Sequence, residues 1–232
     1  MKPFTQIENQ LEKWRTEDRL ERKYTLPVIN FASIEPFILE SGFLENYKPR
    51  MVHSVYFDSP SNTCFQDASR GSRSRFKVRW RWYEQNGKIS PSHLELKIKS
   101  ADVVRKYIIL NKKTENIREN IRAENFPRPC EQIFSGWKPV LSNSYLRAYY
   151  QHSYLPIRVT LDKNLTPSME ETISSKLKFN SKYILEIKYP IDAEPLLQEL
   201  KFLKVLPLQR QRFSKFTEGI NSISGMILSS FH

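Results

Sequence analysis

Four cationic residues at alternate positions, Arg75, Lys77, Arg79 and Arg81, are interleaved with Phe76, Val78, Trp80 and Trp82. Side chains on a strand alternate between its faces, so this run puts four positive charges on one face and four hydrophobes on the other. An ordinary half-buried strand has the same look, with its cations in water. Here the design recurs. Glu21, Lys23 and Thr25 alternate with Tyr24 and Leu26, and Glu95, Lys97 and Lys99 alternate with Leu94, Leu96 and Ile98. Lys106, Arg147, Arg158, Asp162, Glu186 and Lys188 occupy the polar positions of further alternating runs. On these faces cations outnumber carboxylates by more than two to one. Crowded like charges in a cavity of low dielectric need an anion between them. A linear chain of phosphates supplies that charge: arginine grips phosphate oxygens in bidentate fashion, and lysine acts as a movable point charge. Glu186, alone or with Glu95 or Glu21, suits a Mg²⁺ or Mn²⁺ ion bridging phosphate oxygens.

Eight strands are expected to carry these residues, within 21–26, 52–58, 75–83, 93–99, 104–110, 144–151, 157–162 and 183–189. Asn86-Gly87 is a turn signal, so 75–83 and 93–99 are expected to pair as an antiparallel hairpin. Apolar spacing predicts helices over 4–17, 33–41, 62–68, 192–204 (capped by Asp192) and 217–228, with a polar helical stretch over 114–135. Two architectures accommodate strands that are apolar on one face and charged on the other. One is an open sheet or sandwich with a basic outer surface. The other is a closed antiparallel barrel of about eight strands with a charged lumen and helices on its outside. The amphipathic helices need an apolar surface to pack on, which favours the barrel, an α+β fold.

The 232 residues carry 37 Lys and Arg against 25 Asp and Glu, a formal charge of +12, which points to a polyanionic partner. Hydrophobic residues make up 39%, enough for a core, and no linker, repeat or low-complexity tract divides the chain, so one domain over 1–232 is expected. Cys64 and Cys130 form no metal-binding or disulfide pattern, and no signal peptide or membrane span is legible, so a cytoplasmic setting is expected. His53, His93, His152 and His232 show no ligand spacing. Trp80, Trp82 and Tyr83 beside the arginines raise the alternative of a nucleic-acid platform. The two tryptophans fall opposite the charges, which disfavours it.

Taken in order, Glu21-Arg22-Lys23-Tyr24, Arg79-Trp80-Arg81-Trp82-Tyr83, Glu95-Leu96-Lys97, Tyr145-Leu146-Arg147, Arg158-Val159-Thr160-Leu161-Asp162, Glu186-Ile187-Lys188-Tyr189 and Phe213-Ser214-Lys215-Phe216 resemble the VTC domain. This is the polyphosphate polymerase module of the triphosphate tunnel metalloenzyme superfamily, and the resemblance covers residues 20–218. It implies a tunnel of eight antiparallel strands and transfer of the γ-phosphate of ATP to a growing polyphosphate chain, with Mn²⁺ or Mg²⁺. Carried over by position, Lys23, Arg79, Arg81, Lys97, Arg147, Arg158 and Lys188 would be catalytic. Lys77, Lys106, Ser214 and Lys215 would bind substrate, and Glu186 the metal. The ExExK signature of the hydrolytic and cyclase branches is missing, since Glu21 is followed by Lys23. Triphosphate or polyphosphate hydrolysis and non-catalytic binding of a polyanion are the alternatives. The regulatory domain and membrane helices of eukaryotic members have no counterpart in this sequence, so export through this chain alone is not expected.

Overall fold

A computed structural model describes residues 2–16, 19–27, 34–100, 103–110, 122–168, 182–206, 208–210 and 213–229. In chain order its elements are α1 (Lys2–Leu11), β1 (Leu20–Pro27), α2 (Ile34–Glu40), β2 (Phe43–Asp58), α3 (Thr63–Ser69), β3 (Ser74–Gln85), β4 (Lys88–Ile89), β5 (His93–Ser100), β6 (Val103–Leu110), α4 (Cys130–Ile133), β7 (Lys138–His152), β8 (Arg158–Ser168), β9 (Lys182–Tyr189), α5 (Lys201–Val205), β10 (Gln209–Arg210) and α6 (Lys215–Ser229). All the strands join one antiparallel sheet, ordered β10-β1-β9-β8-β7-β2-β3-β5-β6, with β4 paired to β3. The hairpin β3–β4 turns at Asn86-Gly87, whose φ values of 50° and 73° are the left-handed pair that a two-residue turn demands.

The alternation of charged and apolar residues holds along the strands. The apolar face forms two large buried clusters. One packs β1, β9, β8 and the outer face of β7 against α2 and the 195–205 segment, through Leu185, Ile187, Ile38 and Phe202. The other packs β3, β5 and β6 against α1 and the 123–134 segment, through Trp80, Leu96, Leu11 and Phe126. The charged face is concave. β1 and β5 stand six steps apart in the sheet order, yet Lys97 Nζ on β5 lies 2.5 Å from Glu21 Oε2 on β1. Only a strongly curled sheet brings those faces together.

That curl does not end in a closed barrel, and the expected closure is corrected here. Among the described residues the sheet has ten strands and two separate edges, β10 and β6, which do not pair with each other. The outer sides of β6 and of β1 are each taken by another segment. Thr16 N donates to Lys106 O at 2.8 Å and Arg15 bridges Tyr107 on the outer side of β6, while β10 pairs with Tyr24 and Thr25 on the outer side of β1. Edge groups satisfied in this way leave no ladder to complete the ring.

Helices differ at their boundaries. The first ends at Leu11 and continues as a 3₁₀ turn over Glu12–Trp14, short of the expected 17. The expected helix over 192–204 is broken into 3₁₀ turns at Ile191–Ala193 and Pro195–Glu199 followed by α5, because Leu200 is extended (φ −74°, ψ 103°). Asp192 makes no side-chain cap there. Of the stretch 114–135, residues 111–121 lie outside the described residues, and the remainder forms only a 3₁₀ turn at Ala123–Asn125 and α4. β2 starts nine residues earlier than position 52. It reaches Phe43 by skipping Lys48 and Pro49 in a bulged register, since proline has no N–H to give a ladder.

Candidate functional site

The concave face collects almost every site residue anticipated from the sequence. Cross-strand register sets their neighbours: Arg79 stands between Tyr56 and Glu95, Arg81 between Ser54 and His93, Lys23 beside Glu186, and Arg147 beside Asp162. Two carboxylates are locked to arginines. Glu95, 2% exposed, accepts from Arg79 Nε at 2.7 Å, from Arg79 Nη2, from Lys106 Nζ at 2.9 Å, and pairs with His93 Nε2 at 3.0 Å. Asp162, 1% exposed, accepts from Arg147 Nε and Nη2 at 2.5 and 2.8 Å and from Lys215 Nζ at 2.5 Å. Arg81 has Glu95 at 3.6 Å, and it donates to Ser54 Oγ at 3.1 Å and Tyr145 Oη at 2.9 Å.

These contacts set the protonation states. Burial works against ionisation of Asp162, but Arg147 and Lys215 overcome it and hold the carboxyl at about 2. Burial likewise opposes charge on Glu95, and Arg79, Arg81 and Lys106 keep its pKa well below the usual carboxylate range. Glu186 is also driven low, burial being outweighed by Lys188, Lys23 and Arg147. Its geometry differs from the other two: Arg147, Lys23 and Lys188 surround it at 3.6, 3.8 and 3.8 Å, all beyond a close hydrogen bond. Glu21, 3.9 Å from Lys23 Nζ, is bonded to Lys97 instead.

The lysines bear the opposite strain. Lys77, Lys97 and Lys106 stand directly opposite one another across β3, β5 and β6. Burial, with Lys23, Lys97 and Arg75 nearby, pushes Lys77 well below its ordinary pKa. Burial lowers Lys106 to about 8, against the pull of its partner Glu95 and with Arg79 and Arg81 adding to the fall. Further like-charge partners are Arg75 with Lys99, Arg50 with Arg147, and Arg158 with Lys188. Like charges directly opposite on one face destabilise a sheet. This one carries five such pairs.

One end of the concavity is covered by α6. Phe216 stacks on Tyr56 at 5.1 Å between centroids and packs with Leu141, which stands opposite Tyr56 in the sheet. Gly219 meets the Leu141 side chain so closely that a Cβ there would sit 2.6 Å from it. Ser214 opens the helix, its Oγ accepting from Thr217 N at 3.2 Å and from Lys77 Nζ at 2.7 Å. The start of α6, with Ser214 bonded to Lys77 and Lys215 bonded to Asp162, therefore meets the cationic set.

Arg158 stands apart from the ion network. It is exposed at the start of β8, with Nε donating to Gln151 Oε1 at 2.9 Å. Several residues of the face were not singled out from sequence. Asp162 and Glu95 had been placed on it by alternation, but their locking partners follow only from register. Tyr56, Ser54 and His93 had no such signal. Asn143 and Thr160 are nine-tenths buried on the same face, and their side-chain polar atoms have no partner among the described residues. As a metal site the arrangement is sparse: among the described residues no group of three or more His, Cys, Asp or Glu converges. Glu186, with Glu21 beyond Lys23, fits the smaller requirement of a magnesium-type ion held by one or two carboxylates and by phosphate oxygens.

The fold is shared with several solved structures. A proposed adenylate cyclase from Bacillus halodurans superposes with a TM-score of 0.56 at 14% identity, over 85% of this chain and 94% of that one. A proposed adenylyl cyclase from Hippeastrum, reported to have a dominant triphosphatase activity, gives 0.52 at 17% identity, over 89% and 96%. A chain of the Schizosaccharomyces pombe Mediator head module gives 0.50 at 11% identity, over 84% and 100%. Such breadth shows that fold alone does not fix chemistry. No curated protein matches the sequence. The VTC domain family model matches residues 18–224, and the chain belongs to that family.

Proposed function

We propose that the concave face binds a linear phosphate chain and that the protein is a metal-dependent polyphosphate polymerase. In this reading a terminal oxygen of the growing chain attacks the γ-phosphorus of ATP. The bond from that phosphorus to the β-phosphate oxygen breaks, and ADP leaves. The observation that carries the proposal is the set of five opposed cationic pairs, which a row of phosphates would neutralise at strand spacing. Arg79 and Arg147 are held by carboxylates and Arg81 by the Ser54 and Tyr145 hydroxyls, so all three present fixed donors, which is what phosphoryl transfer asks of a protein. Lys23, Lys77, Lys97, Lys106, Lys188 and Lys215 supply mobile charge. Ser214 and the α6 N-terminus add donors at the covered end, and Arg158 would act at the strand rim. The unpartnered amide of Asn143 would donate to a phosphate oxygen.

Glu186 would hold Mn²⁺ or Mg²⁺, which supplies charge neutralisation of the phosphate oxygens when bound. Membership in the VTC family supports the polymerase. Hydrolysis of triphosphate in the same site is the second reading, favoured by the triphosphatase activity reported for the Hippeastrum protein. No helix among the described residues is long and apolar enough to cross a membrane. The proposed substrates are ATP and polyphosphate, the linear phosphate chains that the opposed cations suit.

The test is incubation with ATP and Mn²⁺ or Mg²⁺, in parallel with pre-made polyphosphate, following chain length, ADP and orthophosphate. Long chains with matching ADP are expected. Orthophosphate alone would transfer the assignment to a hydrolase, and tight chain binding without turnover would leave a receptor. Glu186→Ala is expected to abolish turnover while tripolyphosphate still binds. Unchanged turnover would remove Glu186 from the reaction.

A further inference from the structure

At the end of the concavity away from α6, Arg50 is surrounded by aromatic rings. Its guanidinium carbon lies 4.2 Å from the Tyr83 ring centroid, 4.8 Å from Tyr149 and 5.3 Å from Tyr47, and its Nε donates to Tyr149 Oη at 3.2 Å. Tyr47 and Tyr149 meet edge to face with centroids 5.8 Å apart. No carboxylate pairs with Arg50 among the described residues. Tyr47 is 55% exposed, an uncommon fraction for a large ring that already has two neighbours. The bulge around Lys48-Pro49 brings Tyr47 opposite Tyr149 while Arg50 stays opposite Arg147. The collar is thus a product of the irregular part of β2, which sets Tyr47 and Arg50 between Tyr83 on the strand of Arg79 and Arg81 and Tyr149 on the strand of Arg147.

We infer that this collar is the seat of the nucleoside of the phosphate donor: a purine base stacks on the open face of Tyr47, beside the Arg50 guanidinium. The inference rests on the proposed phosphate-chain site. Aromatic faces and arginine planes are the surfaces on which proteins stack unpaired bases, and they do so with little regard to sequence. The spacing is suitable. Arg50 and Arg147 are directly opposed, about 5 Å apart at their Cα atoms, so a ribose and its first phosphate bridge the step from collar to Arg147. The α6 end offers no such alternative, because Phe216, Tyr56 and Leu141 fill it with one another. An unpaired arginine next to Arg147 also favours a ligand that is aromatic at one end and anionic at the other.

The experiment compares dissociation constants of Mg-ATP and inorganic tripolyphosphate for the wild type and Tyr47→Ala, a substitution at an exposed position outside the core. The wild type is expected to bind both. In the variant the ATP constant should rise about tenfold, the lower part of the range for loss of one stacking partner, with the tripolyphosphate constant unmoved. An equal change for both ligands, or none for either, would overturn the collar as a base site. Binding of tripolyphosphate but not ATP by the wild type would overturn it as well, while leaving the phosphate-chain site intact. Failure of the wild type to bind either would refute that site itself, and the collar with it.

Discussion

Replacing Asp162 by asparagine keeps the shape of the side chain and removes its charge. Asp162 neutralises Arg147, which is 6% exposed, and Lys215, whose side chain is 9% exposed. Breaking a buried ion pair by removing one partner typically costs about 3–5 kcal/mol, because the other charge stays behind. Arg147 retains Glu186 at 3.6 Å, whereas Lys215 has no second carboxylate within 4 Å among the described residues. The expected loss is therefore near the lower figure, about 3 kcal/mol. For a chain of this size that lowers Tm by roughly 6–12 °C. Thermal or urea unfolding of wild type, Asp162→Asn, Lys215→Met and the double variant measures it. Removing both charges should recover more than about 1 kcal/mol of the single-variant loss, the signature of coupled neighbours. The effect also depends on pH in a defined direction. The folded carboxyl titrates at about 2 and the ordinary value is 3.8, so its stabilisation is complete above 3.8 and is lost as pH falls towards 2. Wild type and variant should converge there. Tripolyphosphate should stabilise the variant more than the wild type, since it replaces the missing negative charge. A loss below about 1 kcal/mol, or a double variant no more stable than the Asp162 single, would refute the assignment of Asp162 as the counter-ion of this corner.

Lys106, lowered to about 8, is half neutral near that pH, so tripolyphosphate affinity should fall as pH rises from 7 to 9. Binding should take up protons near pH 8, read by calorimetry in buffers of different ionisation enthalpy. Lys106→Met should remove most of that uptake, and an unchanged uptake would assign it elsewhere. Because the folded pKa lies below the unfolded value, the free protein should gain stability between pH 8 and 10.5 from this group. Asn143→Leu removes a buried amide without partners. It should leave stability equal or improved, since an unsatisfied polar group is costly. It should also weaken tripolyphosphate binding about tenfold, the loss of one hydrogen bond to a charged group. A destabilised variant with full affinity would show that the amide serves the fold instead.

The alternation of residue types is enough to read which face seven of the eight expected strands turn to the site; the 52–58 strand alternates too loosely for that. Arg75 to Tyr83 could be divided into charged and apolar halves by parity alone, and the structure keeps that division in Val78, Trp80 and Trp82 against Arg79 and Arg81. What parity does not contain is register. The expected strand 157–162 makes Asp162 a strand end, because the hydrophobic run stops there. β8 instead continues to Ser168, which makes position 162 mid-strand and opposite Arg147. Pro49 similarly hid the first half of β2, and with it Tyr47 and Arg50, because a proline in a run argues against a strand unless a bulge absorbs it. Closure was equally out of reach. It depends on what occupies two edges, and Thr16 and Gln209–Arg210, which occupy them, have no strand-like pattern of their own.

The distribution of carboxylates separates holding from reacting. Glu95 and Asp162 each make bonds shorter than 3 Å to arginine, and their low pKa values mean that they stay charged at any pH near neutrality. They fix Arg79 and Arg147 before any ligand arrives, so no reorganisation is needed when phosphate binds. Glu186 is just as buried, yet it keeps three cations at 3.6–3.8 Å and a close bond to none. On the proposed reading a phosphate chain would compete for those same cations, and with Lys23 and Lys188 turned to it Glu186 would keep free lone pairs beside phosphate oxygens. The site would thus, on that reading, create its metal-binding carboxylate in the act of binding substrate. A lysine at position 23, rather than a second acid, would on this reading balance the charge of Glu186 and Glu21, 3.8 and 3.9 Å away, until the chain arrives.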